Sequence, residues 1–246
     1  MSVIGIIPAR YASSRFPGKP LININGKSML QRVYEQAKKA KLINEIIIAT
    51  DDERIEIHAK EFGATTIITS KDHVSGTDRC YEAYCNYAKH FDYVINIQGD
   101  EPMLNPEQIN ELCKIADGDT EIATQMIKCK TYDELFDKGE VKIVLNANNE
   151  AMYFSRSVIP AIKNKNEKEW HLNFQYQRHV GMYMYKSNIL KQISSLKPTQ
   201  LETVESLEQL RWLENGFKIK CVQTNFESHC VDTPEDLEKI IKMLSA

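Results

Sequence analysis

Short, unbroken apolar runs that alternate with helical patterns constrain this fold more than any other feature of the chain. Residues 3–7 (VIGII) form one such run, the signature of a strand covered on both faces. Apolar residues then fall at 29, 30, 33, 34, 37 and 40, a single helical stripe with Ser28 placed as its N-cap. Residues 46–49 make a second buried strand. A helix over 52–62 follows, and Gly63 takes the position after its end. Residues 65–69 read as a third strand, 77–88 as a helix and 93–98 as a fourth strand. Asn105 and Pro106 open another helix, with Glu107 in its first turn. Strand and helix in regular alternation, joined by short turns, predict a parallel sheet wrapped by helices.

The middle of the chain reads differently. Segments 141–145 and 151–154 flank an Asn-rich turn (Asn146, Asn148, Asn149) and predict an antiparallel hairpin. The stretch 163–169, rich in Lys and Asn, predicts a mobile loop. Beyond it come an alternating strand over 179–185, one helix over 202–215 closed by Gly216, and a strand over 218–223. A last helix is capped by Thr233-Pro234-Glu235-Asp236. No internal repeat or clean linker interrupts the 246 residues. The economical reading is one α/β unit, a Rossmann-like, mostly parallel sheet with an antiparallel insertion. One part of it covers about 1–125 and 217–246, and the inserted part covers about 126–216.

Composition narrows the partners. The formal charge is −3, so no global cationic field points to a nucleic acid or a membrane surface, and any bound anion must be held by a few local cations. The six cysteines show no CxxC spacing and no His cluster beside them; they read as small buried hydrophobes of a reducing compartment. The MSVIGIIPAR start lacks a basic region before its apolar stretch, which Pro8 and Arg10 cut short. No apolar run approaches the ~20 residues of a membrane span. A cytoplasmic protein is expected.

Chemistry concentrates where strands end. Pro8-Ala9-Arg10-Tyr11-Ala12-Ser13-Ser14-Arg15-Phe16-Pro17-Gly18-Lys19 leaves the carboxyl end of the first strand, the rim at which open α/β sheets bind ligands. Three cations, two serine hydroxyls and a glycine suit an anion there. The segment is neither a Walker A loop nor GxGxxG, which disfavours a dinucleotide oxidoreductase. A solvated Pro-Gly turn is the plain alternative. Asn96-Ile97-Gln98-Gly99-Asp100-Glu101-Pro102 follows another strand, and a carboxylate at that place suits a hard divalent cation shared with phosphate oxygens. Otherwise Asp100 only shapes a turn. Ser75-Gly76-Thr77-Asp78-Arg79 starts a helix and offers hydroxyls and free N–H groups, although alone it is no more than a cap. Tyr153-Phe154-Ser155-Arg156 and Arg178-His179-Val180-Gly181-Met182-Tyr183-Met184-Tyr185 place Arg, His and Tyr where a carboxylate and hydroxyls could be read.

Taken in order, IPARYASSRFPGKPL, INGKSML, ATDDERI, HVSGTDR, INIQGDEP, YFSRSVIP, RHVGMYMY, ESLEQLRWLENGFKI and VDTPEDLE resemble the CMP-Kdo synthetases, the 3-deoxy-manno-octulosonate cytidylyltransferases of lipopolysaccharide assembly. The resemblance runs from Ile6 to about Ile240. It implies a nucleotide-diphospho-sugar transferase fold, a homodimer, Mg²⁺, and the reaction of CTP with Kdo to give CMP-Kdo and pyrophosphate. It implies that Pro8, Ala9, Arg10, Ser14, Arg15 and Lys19 surround the nucleotide's triphosphate side. Ser75, Gly76, Thr77 and Arg79 then lie near the cytidine, and Gln98 lies between nucleotide and sugar. Arg156, His179, Tyr183, Tyr185, Glu208 and Gln209 match the sugar-acid side, with Asp100 and Asp232 as the metal carboxylates. Arg10, Lys19 and Asp100 are the catalytic candidates. Leu207, Leu210 and Leu213 face a core, so Glu208 and Gln209 could equally be surface polars. The segment 227–230 is idiosyncratic, and an 8-amino analogue of Kdo or another ulosonic acid is the runner-up substrate. A nucleotide-binding module without turnover is the rival from another class.

Overall fold

The computed structural model describes residues 1–12 and 16–245. The chain runs β1 (Val3–Ala9), a small hairpin β2 (Asn23–Ile24) and β3 (Lys27–Ser28), α1 (Met29–Ala37), β4 (Glu45–Thr50), α2 (Glu53–Glu61), β5 (Thr65–Ile68), α3 (Gly76–Asn86), β6 (Tyr93–Asn96) and α4 (Pro106–Lys114). It continues through β7 (Ile122–Lys128), α5 (Tyr132–Phe136), β8 (Lys142–Leu145), β9 (Ala151–Ser155) and α6 (Trp170–Asn173). The last third holds β10 (Gln177–Lys186), α7 (Ser187–Ile193), α8 (Gln200–Glu205), α9 (Gln209–Glu214), β11 (Ile219–Gln223) and α10 (Pro234–Ser245).

The main sheet has the order β11-β7-β10-β6-β1-β4-β5, with β8 attached to β10 and β9 to β8. Strands β6, β1, β4 and β5 are parallel, as the alternation predicts. Period-two geometry splits β1 cleanly: Val3, Ile7 and Ala9 join one apolar cluster with Leu30, Val33 and Ile55, while Ile4 and Ile6 join the other with Cys80 and Ala83. Both faces are therefore covered, which is why the run is apolar throughout.

The observed helix starts follow local chemistry. The Ser28 hydroxyl accepts the Gln31 N–H at 3.1 Å, and Ser75 does the same for Asp78 at 3.1 Å. Asn105 and Gln108 close a capping box on α4.

Several expectations need correction. The strand expected over 179–185 is the longer β10. It does not lie in a separate insertion but sits inside the main sheet, antiparallel to both β6 and β7. Strand β7 stands where the sequence reading assigns no element, because the buried polar residues Thr124 and Gln125 interrupt its apolar run. Thr124 Oγ1 donates to the Val180 and Met182 carbonyls, and Gln125 Nε2 donates to the Gln108 carbonyl, while Gln125 Oε1 is buried without a partner. The single helix expected over 202–215 is two helices broken at Ser206, whose φ of 53° is left-handed. Glu205 anchors the break: its carboxylate accepts the Ser155 hydroxyl at 2.7 Å and the Arg156 N–H at 3.0 Å. The end of the loop expected over 163–169 is a 3₁₀ turn, Glu167–Glu169, running into α6.

Cys80, Cys129 and Cys221 are buried as expected and Cys113 is half-buried, whereas Cys85 and Cys230 are exposed, which corrects the reading for those two. All six are free thiols, and burial pushes Cys129 up to about 11 and Cys113 and Cys221 up to about 12.

Candidate active site

Two strand ends, one helix start and one distant segment build the site. β1 and β6 are neighbours, so the chain leaves both on the same rim. They can approach because residue 99 is glycine: a Cβ there would stand 2.8 Å from the Pro8 carbonyl oxygen. The next residue, Asp100, is thereby brought beside the loop after β1. In that loop Gly18 adopts φ 72°, its N–H donates to the Tyr11 carbonyl at 2.9 Å, and Lys19 opens a 3₁₀ turn over buried Pro20. Asp232 comes from the segment ahead of α10, where the Val231 N–H donates to the Asp100 carbonyl at 2.9 Å.

Lys19 is the hub. Its ammonium donates to Asp100 Oδ2 at 2.9 Å and to Asp232 Oδ1 at 3.3 Å. These residues share a cavity of about 280 Å³ with Pro8, Ala9, Arg10, Ser75, Gly76, Arg79 and Gln98. Arg10 is exposed at its edge. The structure thus gathers most of the nucleotide-side candidates on one rim; Ser14 and Arg15 lie outside the described residues. Arg79 is buried, and its guanidinium is fixed by Asp51 at 3.0 Å and by the Thr69 hydroxyl at 2.6 Å. It holds the ends of β4 and β5 against the start of α3. Thr77 turns away from this cavity, and its hydroxyl donates to Glu208 Oε2 at 3.0 Å.

A second cavity of about 570 Å³ adjoins the first, and Gln98, Asp100 and Asp232 line both. Gln98 Nε2 donates to the Gly181 carbonyl at 2.9 Å, where the register of β10 against β7 slips. His179 lines this cavity, its ring tilted against Tyr183 and edge-on to Phe154, with Nε2 at 2.9 Å from the Thr124 hydroxyl. Burial pushes its imidazole down to about 3, so it is neutral at physiological pH.

The remaining sugar-side candidates form a wall rather than an open surface. Tyr183 and Tyr185 stack on each other and meet Trp212 edge-on, and the Tyr185 hydroxyl is 3.4 Å from Thr77 Oγ1. Glu208, its carboxyl raised chiefly by burial, ends this chain, and Gln209 is buried beside it. Glu208 and Ser75 share a further cavity of about 320 Å³. Arg156 stands apart, with its guanidinium on the carbonyls of Lys138, Glu205 and Ser206.

Sequence reasoning overlooked the ion network on the far wall of the second cavity. Buried Arg178 pairs with Glu140 at 3.2 Å and with Glu227, which Lys130 also meets at 3.0 Å. Fully buried Lys142 donates to the carbonyls of Asp137 and Glu140. Arg178 sits within RHVGMYMY, the only sequence signal; its partners are too distant in the chain for spacing to reveal. Glu101, also overlooked, is buried beside Cys230, and desolvation raises its carboxyl to about 7.

A parallel-sheet rim that sets cations and paired carboxylates around a nucleotide-sized cleft defines an α/β nucleotidyltransferase. Comparison with known proteins agrees. The cytidylyltransferase profile matches residues 4–219. A 3-deoxy-manno-octulosonate cytidylyltransferase of Parabacteroides distasonis is 51% identical across 100% of this chain and 99% of its own length. The mitochondrial enzyme of that name from Arabidopsis thaliana is 46% identical over 98% of this chain and 83% of its own. A solved CMP:2-keto-3-deoxy-manno-octonic acid synthetase, complexed with CTP, superposes with a TM-score of 0.92 at 38% identity and covers 100% of this chain and 99% of that one. The chain belongs to the cytidylyltransferase family, among the 3-deoxy-manno-octulosonate cytidylyltransferases.

Proposed function

We propose that this chain transfers the cytidylyl group of CTP to 3-deoxy-manno-octulosonate, releasing pyrophosphate. The observation that carries the reading is the Lys19–Asp100–Asp232 cluster on the rim of the sheet, in a chain whose relatives of that activity match it end to end. The anomeric 2-hydroxyl oxygen of the sugar acid bonds to the α-phosphorus, the bond from that phosphorus to the β-phosphate bridge breaks, and the hydroxyl proton leaves for solvent.

Both reactants are anions. One like-charge pair at ~4 Å costs about 4 kcal/mol at an effective dielectric of 20, so local cations are required in a chain of net charge −3. Lys19 and Arg10 meet the phosphates and stabilise charge building on pyrophosphate. The backbone of Pro8 and Ala9, with Ser75 and Gly76 at the start of α3, frames the nucleotide, and Gln98 marks the boundary with the acceptor cavity. Neutral His179 serves there as a hydrogen-bonding group and not as a cation.

Asp100 and Asp232 fit Mg²⁺. They are two hard oxygen donors already converging on one cation, and among the described residues no group of three or more acidic, His or Cys side chains offers a rival cage. When bound, the metal supplies phosphate neutralisation and a lower pKa for the attacking hydroxyl. A homodimer in the cytoplasm completes the reading. No helix among the described residues is long and apolar enough to cross a membrane.

The test is pyrophosphate release from CTP and Mg²⁺ with Kdo and its 8-amino analogue side by side. Faster release with Kdo is expected. Tight CTP binding without release, for either sugar acid, overturns the assignment.

A further inference from the structure

The Lys19 ammonium sits where a cation bound by Asp100 and Asp232 would have to contact oxygen. Its side chain is 13% exposed, and those of the two carboxylates are 26% and 39% exposed, so the cluster is only partly screened by water. An ammonium and a divalent ion compete for these carboxylates, because like charges brought close together repel in a partly screened place. The backbone at Lys19 is fixed by the Gly18 turn and the buried Pro20, whereas its four-carbon stem can swing between rotamers.

We propose that Lys19 is an internal stand-in for the divalent cation: it occupies the carboxylate pair in the free protein and moves onto the nucleotide's phosphates when the cation enters. The inference rests on the metal reading above and adds an order of events. In the free protein the Lys19 ammonium already offsets one of the pair's two negative charges, so the cation binds less tightly than it would to the bare pair. A triphosphate gives the ammonium a new partner, which makes nucleotide and cation binding mutually reinforcing. Lysine suits this exchange better than arginine, since a compact ammonium on a flexible stem changes partners without a fixed two-pronged geometry.

Mn²⁺ binding to the full chain without nucleotide, followed by the paramagnetic resonance of free Mn²⁺, tests this. Lys19→Met is expected to bind Mn²⁺ roughly tenfold tighter than wild type, as removal of one competing charge from a partly screened pocket requires. Adding Asp100→Asn to that variant should abolish the gain. Equal or weaker binding by Lys19→Met, with Asp100→Asn still lowering it, overturns the exchange while leaving the metal site intact. Indifference of Mn²⁺ binding to Asp100→Asn overturns the site and the exchange together. Should Lys19→Met fail to fold, crystals of the wild-type protein with Mn²⁺ and a non-hydrolysable CTP analogue decide: Lys19 Nζ must leave both carboxylates, and a lysine still bridging them sinks the proposal.

Discussion

At the scale of single residues, the chemistry rests on groups whose surroundings fix their charge. On the proposed reading Lys19 is a donor to the leaving phosphates, so Lys19→Ala should lower turnover by roughly 10²–10³-fold with the melting temperature nearly unchanged. Steady-state kinetics beside a thermal melt check this. His179 makes the opposite kind of statement. Its folded value near 3 lies far below the usual 6.5, so the unfolded chain binds the extra proton first. The stability it contributes is complete above about 6.5 and is lost as pH falls toward 3. Urea denaturation at intervals across that window should show His179→Gln flattening the acid limb of the stability curve. The sequence reveals the identities of these residues but not their environments. Nothing near His179 in the chain announces that Phe154 and Thr124 will enclose it. For Tyr183 and Tyr185, alternation along the strand shows a shared face, while Trp212, the residue they pack on, comes from another part of the chain.

At the scale of elements, strands β1, β4 and β6 are legible because each is buried on both faces and carries an unbroken apolar run at its centre. Strand β7 is not, since Thr124 and Gln125 find hydrogen-bond partners that local sequence cannot supply. The broken helix taught the same lesson: Leu207, Leu210 and Leu213 keep helical spacing in register with the preceding turn, and only tertiary contacts at Glu205 reveal the break. Ser206→Gly should therefore be neutral or stabilising by up to about 1 kcal/mol, because glycine adopts φ 53° without strain. A chemical-denaturation midpoint tests it. Gly99→Ala should do harm at the other end of the range. The new methyl would press on the Pro8 carbonyl, a backbone atom that cannot rotate aside, and would cost about 1–3 kcal/mol. Because Asp100 follows directly, the same variant should lose activity beyond what its melting curve explains.

At the scale of the whole molecule, the two cavities meet only because remote segments are tied together. Glu227 takes Arg178 and Lys130 a few residues before Asp232, so this ion network anchors the segment that delivers the second carboxylate. Glu227→Gln should raise the Mg²⁺ concentration needed for half-maximal rate several-fold while the CTP affinity of the metal-free protein stays close to wild type; a metal titration of the rate, with calorimetry of CTP, separates the two. Such long-range pairings are the part of the site that the linear sequence withholds. The rim loops were legible because each is continuous in the chain.

The placement of β10 between β6 and β7 also bears on how the polypeptide is made. Residues 1–114 already contain four strands of the main sheet and their helices, yet the flank of β6 has no neighbour until residues 177–186 have emerged. A ribosome-bound intermediate thus presents a bare backbone ladder through much of synthesis, the kind of surface that recruits other nascent chains or a holdase. Biogenesis, and not catalysis, is where this insertion order exposes the protein most.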